Sequence, residues 1–227
     1  MLNNSNVKHL PDPRRYQDPI RYFRDSHGII NDQLAQFETL LAEIASIGLE
    51  QSFKKNEDLW KELLQFFKRS GPRHEREEEQ TLFPVLSDKL PSIGFKSPND
   101  PSKFLSAEHF EMKRLTSSLT DLWKEFQANP VGSLELTANF QRTGEHLLAI
   151  YRQHIAKENE IIYKLANEEL LTPDERESVM DGIVVLNSPQ SSTAIFNYDQ
   201  SDFSDASKSD NASDFTDAIG EVTSDSD

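Results

Sequence analysis

Apolar residues recur in this chain at intervals of three and four along four long segments, and no stretch reads convincingly as a strand. Ile20, Phe23, Ile30, Leu34, Phe37, Leu41 and Ile44 form the first stripe. Trp60, Leu63 and Phe67 belong to the second, and Leu105, Met112, Leu119, Trp123 and Phe126 to the third. Leu147, Ile150, Ile161 and Leu165 mark the fourth. A helix with one apolar stripe must bury it against others. The expected fold class is therefore all-α, an up-down-up-down four-helix bundle.

Local signals divide the chain. Asp18-Pro19 offers an N-cap with proline at the first helical position, and Gly48 a stop after Ile47. The second helix is expected from near Asn56 towards Leu90, with Gly71-Pro72 as a kink or break. Residues 91–101 read as a loop, 102–128 as the third helix and 133–169 as the fourth. Thr172-Pro173 opens a short extra helix ending near Asp181-Gly182. No internal repeat is evident. The expected domains are an N-terminal arm over 1–16, the bundle over 17–185 and an acidic Ser/Asp-rich tail over 186–227. That tail has too little apolar area to offset its ordering entropy and should be disordered. Its spaced aromatics, Phe196, Tyr198, Phe203 and Phe215, are candidate contacts for a protein partner.

Composition narrows the function classes. The formal charge of −15 argues against a nucleic-acid partner, which needs a basic surface. Residues 199–227 hold nine acids against Lys208 alone, so about half of that excess sits in the tail. A mean hydropathy of −0.65 and the lack of a long apolar run exclude a membrane span. The N-terminus lacks the pattern of a secretory signal, which makes the cytoplasm the expected location. There is no cysteine, so any metal must sit on nitrogen and oxygen ligands.

Histidines occupy the stripes themselves. His27 fills the gap between Phe23 and Ile30 in the first, and His74 continues the second. His109 and His154 fall within the third and fourth. A lone histidine on an apolar face is usually a hydrogen-bonded core residue. One on each of four helices is hard to explain separately, since each unsatisfied ring would cost free energy to bury. A shared metal gives them one purpose.

Two carboxylates extend the set. Glu78 follows His74 at i+4 and Glu158 follows His154 at i+4, each on its histidine's helix face. The candidate ligands are thus His27, His74, Glu78, His109, His154 and Glu158. Six ligands exceed the need of one tetrahedral zinc, and carboxylates with imidazoles in a bundle core suit two irons. Glu75, beside His74, is a candidate extra ligand, although Glu75, Glu77 and Glu79 also read as a solvated acidic run. His146 lies two turns before His154 and fits the helix flank or a supporting hydrogen bond. His9, in the arm, has no expected role.

At these residues the chain resembles the hemerythrin-like (HHE cation-binding) family, over about residues 18–185. His74 to Pro84, HEREEEQTLFP, matches the family's His-x-x-x-Glu block leading into Leu-Phe-Pro. RQHIAKENEIIYKLA resembles its last-helix motif, and His27 and His109 match its single histidines. The resemblance implies two non-haem irons bridged by oxygen and by the two glutamates, with the six residues above as ligands. Three departures weigh against simple oxygen transport. Glu75 stands where many relatives have a second histidine, Lys113 stands at i+4 from His109, and His154 is followed by Glu158 rather than by an aspartate five residues on. They fit better the iron- or NO-handling and sensing branches. The iron–sulfur repair branch usually carries an N-terminal cysteine segment, absent here.

The leading expectation is a binding protein whose centre takes up or senses O2, NO or iron. An enzyme reducing peroxide or NO, or oxidising ferrous iron, is the alternative, with Tyr151 as the one nearby acid/base candidate. A third reading is a metal-gated scaffold that engages a partner through its acidic tail.

Overall fold

The computed structural model describes residues 7–95, 100–129 and 134–189. Residues 190–227, with the tail aromatics, lie outside the described residues, as do residues 1–6 of the arm. The described chain is all-α, without a strand. No helix in it is long and apolar enough to cross a membrane.

Helix α1 (Pro19–Ile47) starts where expected, the Asp18 carboxylate accepting from the Ile20 N–H at 3.1 Å. Gly48 ends it at φ 84°, a conformation that favours glycine. Helix α2 (Leu49–Glu77) follows at once. Asn56 is therefore not its start but a kink inside it, at φ −129° and ψ 33°. The Asn56 amide donates to the Ser52 carbonyl at 3.2 Å and to Glu43, holding the distortion. Of the kink or break expected at Gly71-Pro72, the break is absent, for the helix runs through Pro72 between buried Phe66 and Phe67 on one side and His74 on the other. A π-helical stretch, Glu78–Leu82, then leads into α3 (Phe83–Lys89).

Helix α4 (Pro101–Ala128) is capped by Asp100, which accepts from the Ser102 N–H at 3.0 Å. Helix α5 (Leu134–Lys157) continues through a second π-helical stretch, Glu158–Ile162, into α6 (Tyr163–Leu165) and a third, Ala166–Leu170. The extra helix, α7 (Pro173–Leu186), passes the expected stop at Gly182, which packs against Thr81.

Neighbours in the bundle are α1 with α2, α2 with α4, α4 with α5 and α5 with α1. This ring leaves α1 diagonal to α4 and α2 diagonal to α5. Two apolar clusters fill the interior. One gathers Phe37, Phe53, Trp60, Phe67, Trp123 and Phe140 among others, and the second gathers Phe23, Leu82, Phe83, Leu105, Ile162, Tyr163 and Ile183. Helices α1 and α4 pass from one cluster to the other, and α2 and α5 reach the second through the segments that continue them. At the crossing, α1 carries His27, α2 His74, α4 His109 and α5 His154.

Candidate metal centre

The six candidate residues all lie in this crossing layer, each no more than 3 % exposed. They form two groups that share both carboxylates. His27, His74, Glu78 and Glu158 make one, and His109, His154, Glu78 and Glu158 the other. Within each group the nearest ligand atoms lie within 4.8 Å of one another. Glu158 turns Oε2 to His27 Nε2 at 3.1 Å and Oε1 to His154 Nε2 at 3.0 Å. Glu78 turns Oε1 to His74 Nε2 at 3.6 Å and Oε2 to His109 Nε2 at 3.5 Å. Each carboxylate thus presents one oxygen to each histidine pair. The carboxylates come from the π-helical continuations of the diagonal helices α2 and α5, and so they span both pairs.

The backbone widens where these glutamates sit. Both π-helical stretches begin at the carboxylate residue, with the Phe83 N–H bonded to the Glu78 carbonyl and the Tyr163 N–H to the Glu158 carbonyl. Such single π turns shift the helical register by one residue and are frequent at functional sites. The shift corrects one sequence expectation. Ile161, expected on the buried stripe, is 42 % exposed, and Ile162 is buried instead. The acidic run after His74 is not a solvated face either. Glu75 and Glu77 are buried, and Glu79 turns Oε1 to His109 Nδ1 at 2.8 Å.

Three of the four imidazoles have a partner on their outer nitrogen. Besides Glu79 on His109, Glu108 Oε2 lies 3.0 Å from His154 Nδ1. The Asn159 carboxamide oxygen accepts from His27 Nδ1 at 3.2 Å, which leaves the Nε2 lone pair of that ring facing inward. Tyr163 stacks on His27 and donates its hydroxyl hydrogen to Glu78 Oε1. Phe83 stacks on His109. Spacing held faint signals for this shell: Glu79 and Asn159 each follow a motif histidine by five residues, and so do Phe83 and Tyr163 follow the motif glutamates. Glu108 directly precedes His109. Neither pattern stands out without the fold.

Electrostatics show a layer under tension. Burial, aided by the neighbouring histidines, pushes His74 well below the usual imidazole range. Burial and repulsion from Glu158 push Glu78 well above the usual carboxylate range. Burial acts the same way on Glu158, but the His154 and His27 charges outweigh it and hold that carboxyl well down. Burial opposes the charging of His154, yet Glu158 and Glu108 raise it to about 9.

Geometry tests whether a cation fits. Both nitrogens of His74, Glu78 Oε2 and both oxygens of Glu158 are buried with no hydrogen-bond partner in the protein. Buried polar atoms are rarely left so. At 3.0–3.1 Å from histidine nitrogens, the Glu158 oxygens still miss hydrogen-bonding geometry, and they stand among ligand atoms within 4.8 Å of one another. A nitrogen and oxygen donor set of this kind suits a first-row transition metal.

Residues 18–166 match the family model for the hemerythrin HHE cation-binding domain. The chain belongs to that family. No curated protein and no solved structure matches it. Membership and geometry together make this hemerythrin domain a cation-binding helical bundle with a buried His/Glu cluster.

Other sequence candidates fall outside the two ligand groups. Glu75 is buried beside them but accepts from the Tyr151 hydroxyl at 3.2 Å. His146, His9 and Lys113 have exposed side chains.

Proposed function

We propose that this hemerythrin domain holds two non-haem irons on His27, His74, Glu78, His109, His154 and Glu158, and binds or senses a small diatomic, O2 or NO. The observation that supports this best is the division of each carboxylate, one oxygen to each histidine pair. Two bridging carboxylates and four terminal imidazoles are a donor set for a pair of ions rather than for one. Bound iron would supply a coordination position open to the diatomic.

The protein's own residues do the rest. His27 and His74 hold one position, and His109 and His154 the other. Glu78 and Glu158 span them and offset cationic charge. Phe23, Phe83, Leu82, Ile162 and Tyr163 are buried around the layer and exclude bulk water. Tyr151, the acid/base candidate of the enzyme reading, gives its hydroxyl hydrogen to Glu75 rather than to the cluster, and the hydroxyl that reaches the cluster is that of Tyr163, on Glu78.

Anaerobic loading of the full chain with Fe(II), metal analysis and exposure to NO or air test this reading. The expected result is two irons per chain and a stable, spectroscopically visible adduct. Less than one iron per chain sinks it, and consumption of peroxide or NO over many cycles replaces the binder with the enzyme.

A further inference from the structure

The two halves of the centre repeat one plan. His74, Glu78 and Phe83 on the α2–α3 side answer His154, Glu158 and Tyr163 on the α5–α6 side at identical spacing. His27 on α1 answers His109 on α4. Each aromatic lies over the single histidine of the other half, Phe83 on His109 at 5.9 Å and Tyr163 on His27 at 5.1 Å between ring centroids.

The plan preserves the ligands and changes their support. Glu79 holds His109 Nδ1 at 2.8 Å, but its counterpart on His27 Nδ1 is the neutral Asn159 at 3.2 Å. Glu108, the residue before His109, holds His154 Nδ1 at 3.0 Å. Its counterpart before His27 is Ser26, whose hydroxyl donates to the Tyr22 carbonyl, and His74 Nδ1 has no partner. The aromatics differ as well. Tyr163 donates a hydrogen bond to Glu78 Oε1, the oxygen turned to His74, and so draws density from it. Phe83 has no hydroxyl with which to do the same.

We propose that the two cation positions are unequal: the one on His109 and His154 fills first and keeps its ion, while the one on His27 and His74 fills last and exchanges it. This rests on the two-metal reading of the site. A carboxylate on the outer nitrogen makes an imidazole a more basic ligand and fixes its orientation. Removing such a partner typically weakens metal binding about 10- to 100-fold. One half has two of these carboxylates and the other none. Lys157 also pairs with Glu108, and the Glu79 side chain is 34 % exposed, which places each effect towards the lower end of that range. Glu79 and Glu108 are positioning residues, acting on the metal through the rings. At scarce iron the protein then stands singly loaded, and the second equivalent is the one that reports supply.

Metal-free full chain is titrated anaerobically with Fe(II), one equivalent of Mössbauer-active iron followed by one of silent iron, and then in the reverse order. One quadrupole doublet in the first order and a different one in the second is the expected result. The first equivalent should bind at least about 10-fold more tightly. E79Q and E108Q keep an acceptor and lose the charge. Each should weaken the first equivalent roughly 10-fold and leave the second unchanged, whereas N159D should strengthen the second. The same mixture of doublets in both orders overturns the inequality, as does equal weakening of both equivalents in E79Q and E108Q. Two irons bound with matching affinity leave the two-metal reading intact and remove only the inequality. Uptake of no iron removes the two-metal reading itself.

Discussion

The bundle is filled in two different ways along its length. At the end built from Phe37, Phe53, Trp60, Phe67, Trp123, Phe126 and Phe140, ring packs on ring, with Phe53 4.4 Å from Trp123 and 4.6 Å from Phe126 between centroids. The Trp60 N–H there finds the Ser52 hydroxyl at 3.3 Å. One level away, the same four helices bury histidines and carboxylates, and there both His74 nitrogens, Glu78 Oε2 and both Glu158 oxygens lack hydrogen-bond partners in the protein. The first region stabilises the fold by removing apolar area from water. The second costs stability, because charge and polar groups are desolvated without full compensation. The lesson is that the apolar end holds the helices in place so that the crossing layer can be kept short of hydrogen bonds until a cation completes it.

The largest test of that division is Trp60→Ala. Truncating this fully buried ring should cost about 3–5 kcal/mol of unfolding free energy, read by chemical denaturation. Metal stoichiometry in the folded fraction should not change. Next in size is metal removal. Stripping the ion with a chelator should remove on the order of 3 kcal/mol for a ligand present at a hundred times its dissociation constant. Near-ultraviolet dichroism from Trp60 and Trp123 should survive. If the regions are independent, the two losses add within about 0.5 kcal/mol. A Trp60→Ala cost that vanishes in the metal-free protein would break the comparison, showing that the layer orders the apolar end.

What the sequence disclosed divides along the same line. The apolar stripes placed the four helices, and Asp18-Pro19, Gly48 and Thr172-Pro173 marked real boundaries, because cap and stop chemistry is local. All six candidate ligands come together in one layer, since a histidine that interrupts an apolar stripe is visible in any register. The π turns were not legible. Widening a helix by one residue leaves no local propensity signal, so Ile161 took the place of Ile162. Glu79, in a run of acids, passed for surface. At Asn56 the backbone does leave helical geometry, so the start expected there falls on the kink between two helical segments of α2, whereas packing on both sides carries the helix through Pro72 without a break. Glu108, Asn159 and Tyr163 act across helices, and only the fold brings them to the rings they hold.

A pair of glycines sharpens the contrast with one substitution. A Cβ at Gly144, in the apolar end, would stand 2.6 Å from Leu41 Cδ2 and 3.2 Å from Phe37 Cζ. Gly144→Ala should cost about 1–3 kcal/mol from overpacking, less the roughly 1 kcal/mol gained from helix propensity. Iron affinity should stay as it was. A Cβ at Gly71, one turn from His74, would stand 2.4 Å from the Tyr151 hydroxyl and so displace it from Glu75. Gly71→Ala should give a similar or smaller loss of stability and, unlike Gly144→Ala, alter the spectrum of the loaded centre. Equal spectra for both variants would mean that Glu75 and Tyr151 belong to the packing alone.

The smallest expected effect is the most local. Tyr163→Phe keeps the ring stacked on His27 and removes one hydroxyl, making the two aromatic covers alike. The stability change should be about 1 kcal/mol, the usual net worth of a hydrogen bond. Its sign in metal binding carries more information than its size. A hydroxyl that donates to Glu78 Oε1 competes with a cation for that oxygen, so its loss should leave the stoichiometry unchanged and tighten the last iron a few-fold, read by calorimetric titration. If Tyr163→Phe instead loosens that iron and removes a visible absorption band, the phenol oxygen is itself a ligand. The half with the weaker histidine support would then have a ligand that the other half lacks, and the difference between the two positions would follow the aromatic rather than the outer carboxylates.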